Sequence, residues 1–134
     1  MTLFGKEHVD RYRETGGGDG HDWKGTVTLL LTTTGRRSGE ERTTPLIYQP
    51  DGDRYVIVAS QGGADEHPAW YLNLSADQNV EVQVKDERFD ATASTAEGEE
   101  RERLWKLMTA TWPAYDQYQA KTDRQIPVVV LTPV

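Results

Sequence analysis

Cysteine is missing from this sequence, which removes disulfides, thiolate nucleophiles and thiolate metal sites together. A chain without disulfides suits a reducing compartment. The cytoplasm is the expected location, with a peripheral position at the inner face of the membrane as the alternative. No apolar run approaches the ~20 residues a membrane-spanning helix needs. No transmembrane segment is therefore expected, and the N-terminus has no apolar stretch of the secretory kind. Basic residues are in deficit, since 15 Lys and Arg stand against 22 Asp and Glu for a net charge of -7. That balance excludes broad binding to nucleic acid, which requires a basic face to neutralise phosphates. Histidine is scarce as well. The three present, His8, His21 and His67, lie far apart with no carboxylate at ligand spacing, so no metal site is expected and all three default to the surface. There is no G-x-S-x-G elbow, and no Walker loop, because Glu40 stands where a lysine would have to follow the glycine.

What is present suffices for one core. Four Trp, six Tyr and several Val/Leu/Ile runs offset a hydrophobic share of only 36% in 134 residues. An N-terminal helix and glycine-rich hinge are expected over 1–25, ahead of a principal domain over 26–134. Leu3, Phe4, Val9 and Tyr12 form the weak stripe of that first helix. Gly16, Gly17, Gly18 and Gly20 then read as a flexible hinge, in a register that makes no dinucleotide turn. Thr26–Thr33 predicts a strand buried on both faces or lining a barrel. A turn follows over Thr34–Gly39, where Gly35 and Gly39 are both expected to supply positive φ. In the strand Arg42–Gln49, Pro45 predicts an edge or a bulge. Pro50-Asp51-Gly52-Asp53 is a hairpin signal leading to a return strand, Tyr55–Ala59, and then to the small-residue loop Ser60–Ala64.

Pro68 opens a helix through Ser75 that turns Trp70 and Leu74 inward. Val80, Val82 and Val84, then Phe89, Ala91 and Ala93, alternate as a hairpin about an Asp86-Glu87 turn. Ser94 and Glu97 have capping-box spacing, and Leu104, Leu107, Met108 and Thr111 recur helically, so the main helix is expected over 95–111, ended by Pro113. Tyr115 and Tyr118 are neighbours on a further short helix. Ile126–Leu131 is the last strand. About six mostly antiparallel strands, one long helix and two or three short ones make an α+β fold around a small barrel.

Arg36, Arg37 and Arg42 fall within seven residues, accompanied by Ser38, Thr43 and Thr44. Planar cationic forks beside hydroxyls are the donor set that phosphate or carboxylate groups want. Two readings stand side by side here. One is an anion clamp. The other is an exposed hairpin whose arginines pair with Glu40 and Glu41, each pair contributing about 0–1 kcal/mol. The start of the Pro68 helix is a second contact for anionic or ring-carbonyl atoms. Trp70 and Tyr71, like Trp112, Tyr115 and Tyr118, are either core aromatics or the wall of a pocket.

Taken in order, TTTGRRSG, RTTPLIY, VIVASQGG, HPAWYLNL and YDQYQAKTDRQIPVVVL resemble the deazaflavin-dependent nitroreductase family of actinobacteria, from about residue 26 to the end. The resemblance implies a flavin-reductase-like split β-barrel and coenzyme F420, a deazaflavin with an anionic phosphate and oligoglutamate tail. Carried over by motif, its cofactor positions fall on Arg36, Arg37 and Ser38, then on Arg42, Thr43, Thr44, Pro45, Leu46 and Ile47. They continue through Val58, Ala59, Ser60 and Gln61, through Ala69, Trp70, Tyr71, Leu72 and Asn73, and end at Tyr115. The implied reaction is hydride transfer from C5 of the reduced deazaflavin to a quinone, nitroaromatic or similar electron-poor acceptor. Ser60, Tyr115 and Tyr118 would position the reactants or supply a proton. Two departures matter. Gln61 stands where relatives often have Lys, leaving the tail to the arginines. Ile47 stands where some nitro-reducing members carry Tyr, so quinone reduction is implied ahead of nitroimidazole reduction. The expected partners are F420 and a small acceptor, with a homodimer as an open possibility. The alternatives from other classes are a non-catalytic F420 carrier or store and an FMN- or haem-binding split barrel.

Overall fold

The computed structural model describes residues 3–134, with four α-helices and an eight-stranded sheet. Helix α1 spans Gly5–Thr15, and a two-residue strand β1, Asp22–Trp23, leads into the long strand β2, Thr26–Thr34. Strand β3 is Glu41–Ile47, and β4, Gln49–Asp51, forms a hairpin with β5, Arg54–Val58. A 3-10 turn at Gln61–Gly63 precedes helix α2, Ala69–Ala76. Strands β6, Asn79–Val84, and β7, Glu87–Thr95, pair with each other. Helices α3, Gly98–Thr111, and α4, Ala114–Ala120, come before the last strand β8, Val128–Pro133.

Every described pairing is antiparallel, in the order β1-β2-β6-β7-β8-β5-β4, with β3 paired along β2. The sheet curls into a split barrel. Strands β2, β5 and β8 are buried on both faces because each face has its own cover. In β2, Leu29 and Leu31 point into the barrel with Ile57, Val82 and Leu131, whereas Leu30 packs on Val9 and Tyr12 of α1. In β5 and β8 the same period of two sends Ile57 and Val129 inward, and sends Val56, Val58, Val128 and Val130 toward Leu104 and Met108 of α3. The hairpin is tied to α3 as well. Asp51 accepts hydrogen bonds from both Arg103 terminal nitrogens at 2.9 and 3.0 Å, and from Arg54 at 2.5 Å. Arg103 first, then Arg54, hold the Asp51 carboxyl well below the usual carboxylate range.

Several local expectations are corrected. The glycine run after α1 is a packed connection and not a flexible hinge, because a Cβ on Gly17 would stand 2.6 Å from the Cα of Lys85 in the β6–β7 turn. Tyr12 fastens α1 to the sheet: its buried hydroxyl donates to the Thr28 carbonyl and accepts from the Lys85 N–H, both at 2.9 Å. The β6–β7 turn is Lys85-Asp86, one residue earlier than expected, since Lys85 takes a φ of 55° and Val84 lies opposite Glu87. The main helix begins at Gly98 and not at 95. Ser94 remains in β7 opposite Val130, and Glu97 makes no side-chain cap, so there is no capping box. The count rises from six strands to eight through the short pairings of β1 and β4. Pro45 does lie on an edge strand: among the described residues β3 pairs with β2 alone. No helix among the described residues is long and apolar enough to cross a membrane.

Candidate functional site

A cavity of about 930 Å³ lies along β3, bounded by the loop before α2, the first residues of α1, and α4. That volume is near the upper end of the usual ~300–1,000 Å³ range for small-molecule sites. The wall that β3 forms has a direction. Register places Arg42 opposite Thr33 and Ile47 opposite Thr28, so residues 42–47 run about 17 Å from a cationic end to an aromatic one. Ile47 lines the cavity, and Tyr48 beside it turns into the barrel, as strand alternation requires. There its hydroxyl meets His21 Nε2 at 2.8 Å, and burial above all pushes the phenol up to about 12.

The loop 35–40 builds the cationic end. It closes through Gly35 N–H to Glu40 O at 2.7 Å and Gly39 N–H to Gly35 O at 2.8 Å. Gly39 takes a φ of 74°, but Gly35 does not adopt the positive φ expected of it. Gly35 is needed for space instead, since a Cβ there would stand 2.9 Å from Ser38 Oγ. Asn73, buried in α2, anchors the loop. Its Oδ1 accepts the Arg36 guanidinium at 2.9 Å and the Arg36 backbone N–H at 3.2 Å, while its Nδ2 donates to Thr33 Oγ1 at 3.3 Å. Arg42 pairs with Glu40 at 3.3 Å in an exposed contact. Among the described residues Arg36 and Arg37 form no salt bridge, so surface pairing accounts for one of the three arginines and leaves two charges at the cavity.

The middle of the cavity is held by a residue that sequence reasoning missed. Arg124 donates from Nε to the Ala64 carbonyl at 2.7 Å, from Nη2 to Ser60 O at 2.7 Å, and from Nη1 to Ala59 O at 3.2 Å and His67 Nδ1 at 3.0 Å. Because arginine only donates, His67 accepts at Nδ1 and carries its hydrogen on Nε2. Burial, and then the Arg124 charge, lower the His67 pKa. The same loop presses on α4. Gly63 has a φ of 85°, and a Cβ there would stand 2.7 Å from the Tyr118 carbonyl oxygen. Ser60, Gln61 and Gly62 on one element and Tyr115 and Tyr118 on another are thereby locked around one space. Burial pushes the Tyr115 phenol well above its ordinary value.

The aromatic end was read only in part, through Trp112. Phe4 at the N-cap of α1, His8 of α1, Trp23 of β1 and Trp112 between α3 and α4 line it. Trp23 stands between Phe4, which it meets edge-on, and Trp112, tilted by 30°, with ring centroids 5.8 and 5.9 Å away. Trp112 stood as a candidate pocket wall, whereas the weak stripe of α1 does not reveal what the helix covers and Trp23 carried no signal. The default of surface histidines is corrected here too, since His8 is 2% and His21 8% exposed.

Of the positions carried over by resemblance, Arg36, Arg37, Ser38, Arg42, Thr43, Thr44, Pro45, Leu46, Ile47, Val58, Ser60, Gln61, Ala69, Trp70, Asn73, Tyr115 and Tyr118 line the cavity. Ala59, Tyr71 and Leu72 do not reach it. Ala59 is buried inside the barrel, Tyr71 lies 4.9 Å from the His67 ring with its hydroxyl on Thr95, and Leu72 is exposed. Successive helical residues diverge by about 100°, so one wall cannot receive all of Ala69–Asn73.

A family profile described as F420H(2)-dependent quinone reductase matches residues 4–133. An F420H(2)-dependent quinone reductase of Mycobacterium tuberculosis is 45% identical over 129 residues, covering 93% of this chain and 87% of that protein. The solved structure of an F420-H2 dependent reductase, FDR-A, matches with a TM-score of 0.72 and 47% identity, over 78% of this chain and 92% of its own. Another solved structure, described as a domain-swapped dimer, matches with a TM-score of 0.76 and 43% identity, over 94% of this chain and 95% of its own.

Proposed function

The chain belongs to the F420H(2)-dependent quinone reductase family, and on that premise we propose that its cavity holds F420 with the anionic tail at Arg36 and Arg37 and a quinone at the aromatic end. The protein is an oxidoreductase, and coenzyme F420 is its cofactor. When bound in reduced form, that cofactor supplies a hydride from C5 of its deazaflavin ring.

The residues present suit this group. Two guanidinium groups without a carboxylate partner among the described residues stand at one end of the cavity, and Ser38 adds a hydroxyl beside them. Gly62 lines the wall with no atom within 4 Å of where a Cβ would sit, which leaves open backbone for a planar ring. Ala69 and Trp70, in the first turn of α2, add N–H groups that helical geometry leaves without partners. The unneutralised arginine pair in a chain of net charge -7 is the observation that supports the assignment most directly.

The chain's own part in the reaction is binding, orientation and exclusion of water. Arg36, fixed by Asn73, holds the tail in register, and the Arg124-clamped loop sets Ser60 and Gln61 against the ring edge. Tyr115 stays protonated through burial and can donate a hydrogen bond. Phe4, Trp23 and Trp112 offer an apolar slot for a flat acceptor. Ile47 in place of a hydroxylated ring makes that slot better suited to quinones than to nitroimidazoles. A cytoplasmic location and a homodimer belong to the same proposal, the homodimer supported by the neighbour described as a domain-swapped dimer. Light scattering on the purified protein tests the dimer.

Fluorescence titration with F420 and with FMN tests the cofactor assignment. F420 is expected to bind at least tenfold tighter, because FMN lacks the glutamate tail that two charge-assisted contacts would hold. A preference for FMN would contradict the placement of the tail.

A further inference from the structure

His8 sits on the inner face of α1, 2% exposed, with its ring lining the cavity and its centroid 6.2 Å from that of Trp23. One edge of the ring is fully engaged. Nε2 lies 2.8 Å from the Gly20 carbonyl oxygen and 3.3 Å from Thr28 Oγ1, and the Thr28 hydroxyl donates to the same carbonyl at 2.6 Å. A carbonyl only accepts, so Nε2 carries a hydrogen. Gly20 also fixes the ring sterically, since a Cβ there would stand 2.9 Å from Cδ2 and 3.0 Å from Nε2.

Nδ1 is the ring atom opposite the Nε2–Cδ2 edge, so it points away from Gly20. It has no hydrogen-bond partner among the described residues. Nor is it sealed off: the sealed, unpartnered side-chain atom among them is Arg101 Nε. Nδ1 is thus the free polar atom of a ring that lines the cavity. An imidazole pinned as a donor at one nitrogen and free at the other has a defined task. Neutral, it accepts a hydrogen bond at Nδ1; protonated, it donates one. The other polar groups at hand are poorer proton sources, because burial holds the Tyr115 phenol above its ordinary value and a serine hydroxyl is a weaker acid still. Imidazole is the side chain whose charge changes near neutrality.

We propose that His8, through Nδ1, hydrogen-bonds an oxygen of the quinone acceptor and delivers the proton that completes its reduction. This rests on the placement of the acceptor at the aromatic end. In the step, the quinone would take a hydride, two electrons and one proton together, from the reduced deazaflavin, which is thereby oxidised and would release its ring N–H proton to solvent, and one quinone oxygen would be left anionic. The Nδ1–H bond of doubly protonated His8 breaks as the O–H bond of the hydroquinone forms. His8 returns to the neutral Nε2–H form that the Gly20 carbonyl holds, and a solvent proton restores Nδ1–H.

Two measurements test this. The first uses the unaltered protein loaded with F420 and labelled with nitrogen-15, titrated with 1-naphthol, a redox-stable phenol standing in for the reduced acceptor. The Nδ1 resonance of His8 is expected to move while Nε2 holds. The second uses His8→Gln, whose amide N–H can still reach the Gly20 carbonyl but which has no counterpart of Nδ1. Titration calorimetry should show 1-naphthol binding about tenfold weaker, the size of one lost hydrogen bond. Turnover with menadione should fall on the order of 100-fold while F420 affinity is unchanged. Equal naphthol affinity in the variant, with an unmoved Nδ1 resonance in a protein that does reduce menadione, overturns the role of His8 and leaves the cavity assignment intact. Failure of the unaltered protein to bind F420 and to reduce menadione overturns the cavity assignment, and the role of His8 with it.

Discussion

Arg36 and Arg37 are where single side chains matter most. Arg36 is held by a neutral partner, Asn73, which fixes its direction without cancelling its charge, and Arg37 has no ion pair among the described residues. Charge-assisted hydrogen bonds contribute about 1.5–3 kcal/mol each, so Arg36→Ala with Arg37→Ala should weaken F420 binding by roughly 100-fold or more. The remaining affinity should also respond less to salt. Fluorescence titration at low and high ionic strength checks both outcomes, and an unchanged affinity would return the loop to an exposed hairpin. The arginines were legible in the sequence because clustered cations in an acidic chain stand out by composition. Asn73 was legible only as a position in a motif. Its work as an anchor depends on Thr33 and Arg36, 40 and 37 residues away, and local spacing does not encode such a contact.

Between elements, Arg124 has the widest reach. It joins the segment after α4 to the carbonyls of Ala59, Ser60 and Ala64, and Gly63 seats the same loop against the backbone of α4. Arg124→Ala removes a charged donor from each of those carbonyls, although Ser60 O keeps the Gly63 N–H at 2.9 Å. It is expected to cost about 1–3 kcal/mol in thermal unfolding, and to weaken F420 binding about tenfold by loosening Ser60. Arg124→Lys should recover little, since one ammonium cannot span the fan of acceptors that a guanidinium reaches. An unchanged melting temperature in Arg124→Ala would show that the loop holds without the clamp.

His67 adds a pH dependence at the same place. Its folded pKa lies below the ordinary imidazole value of about 6.5, so between the two values the unfolded chain binds a proton that the folded chain does not. The stabilisation is fully present above about pH 6.5 and is lost as pH falls through the folded value. The melting temperature should therefore fall more steeply between about pH 7.5 and about pH 5.5 in the unaltered protein than in His67→Gln, which accepts from Arg124 without titrating. Equal slopes would remove His67 from this role. None of this was readable beforehand, because three of the four partners of Arg124 are backbone carbonyls, which have no sequence signature, and the fourth, His67, is 57 residues away.

For the molecule as a whole, the fold follows from strands that bury both faces. Period-two alternation made β6 and β7 readable because one of their faces meets the core and the other is more open, and the unbroken apolar run made β2 readable because both of its faces are covered. Element starts were less legible. The helix expected from 95 begins at Gly98 because strand pairing with β8 claims the backbone through Thr95. The aromatic end was the largest gap. It exists only once Tyr12 docks α1 on the sheet and brings Phe4 and His8 to Trp23 and Trp112, an arrangement joining the two ends of the chain. The same docking closes a cavity that is cationic at one end and apolar at the other, the layout a reductase needs to hold an anionic cofactor and a flat acceptor together. The most direct test mixes the protein with reduced F420 and an excess of menadione and follows the absorbance of the oxidised deazaflavin. Many cofactor equivalents should be oxidised per protein molecule. Tight F420 binding without turnover across a panel of quinones and nitroaromatics would contradict the account and point to a carrier.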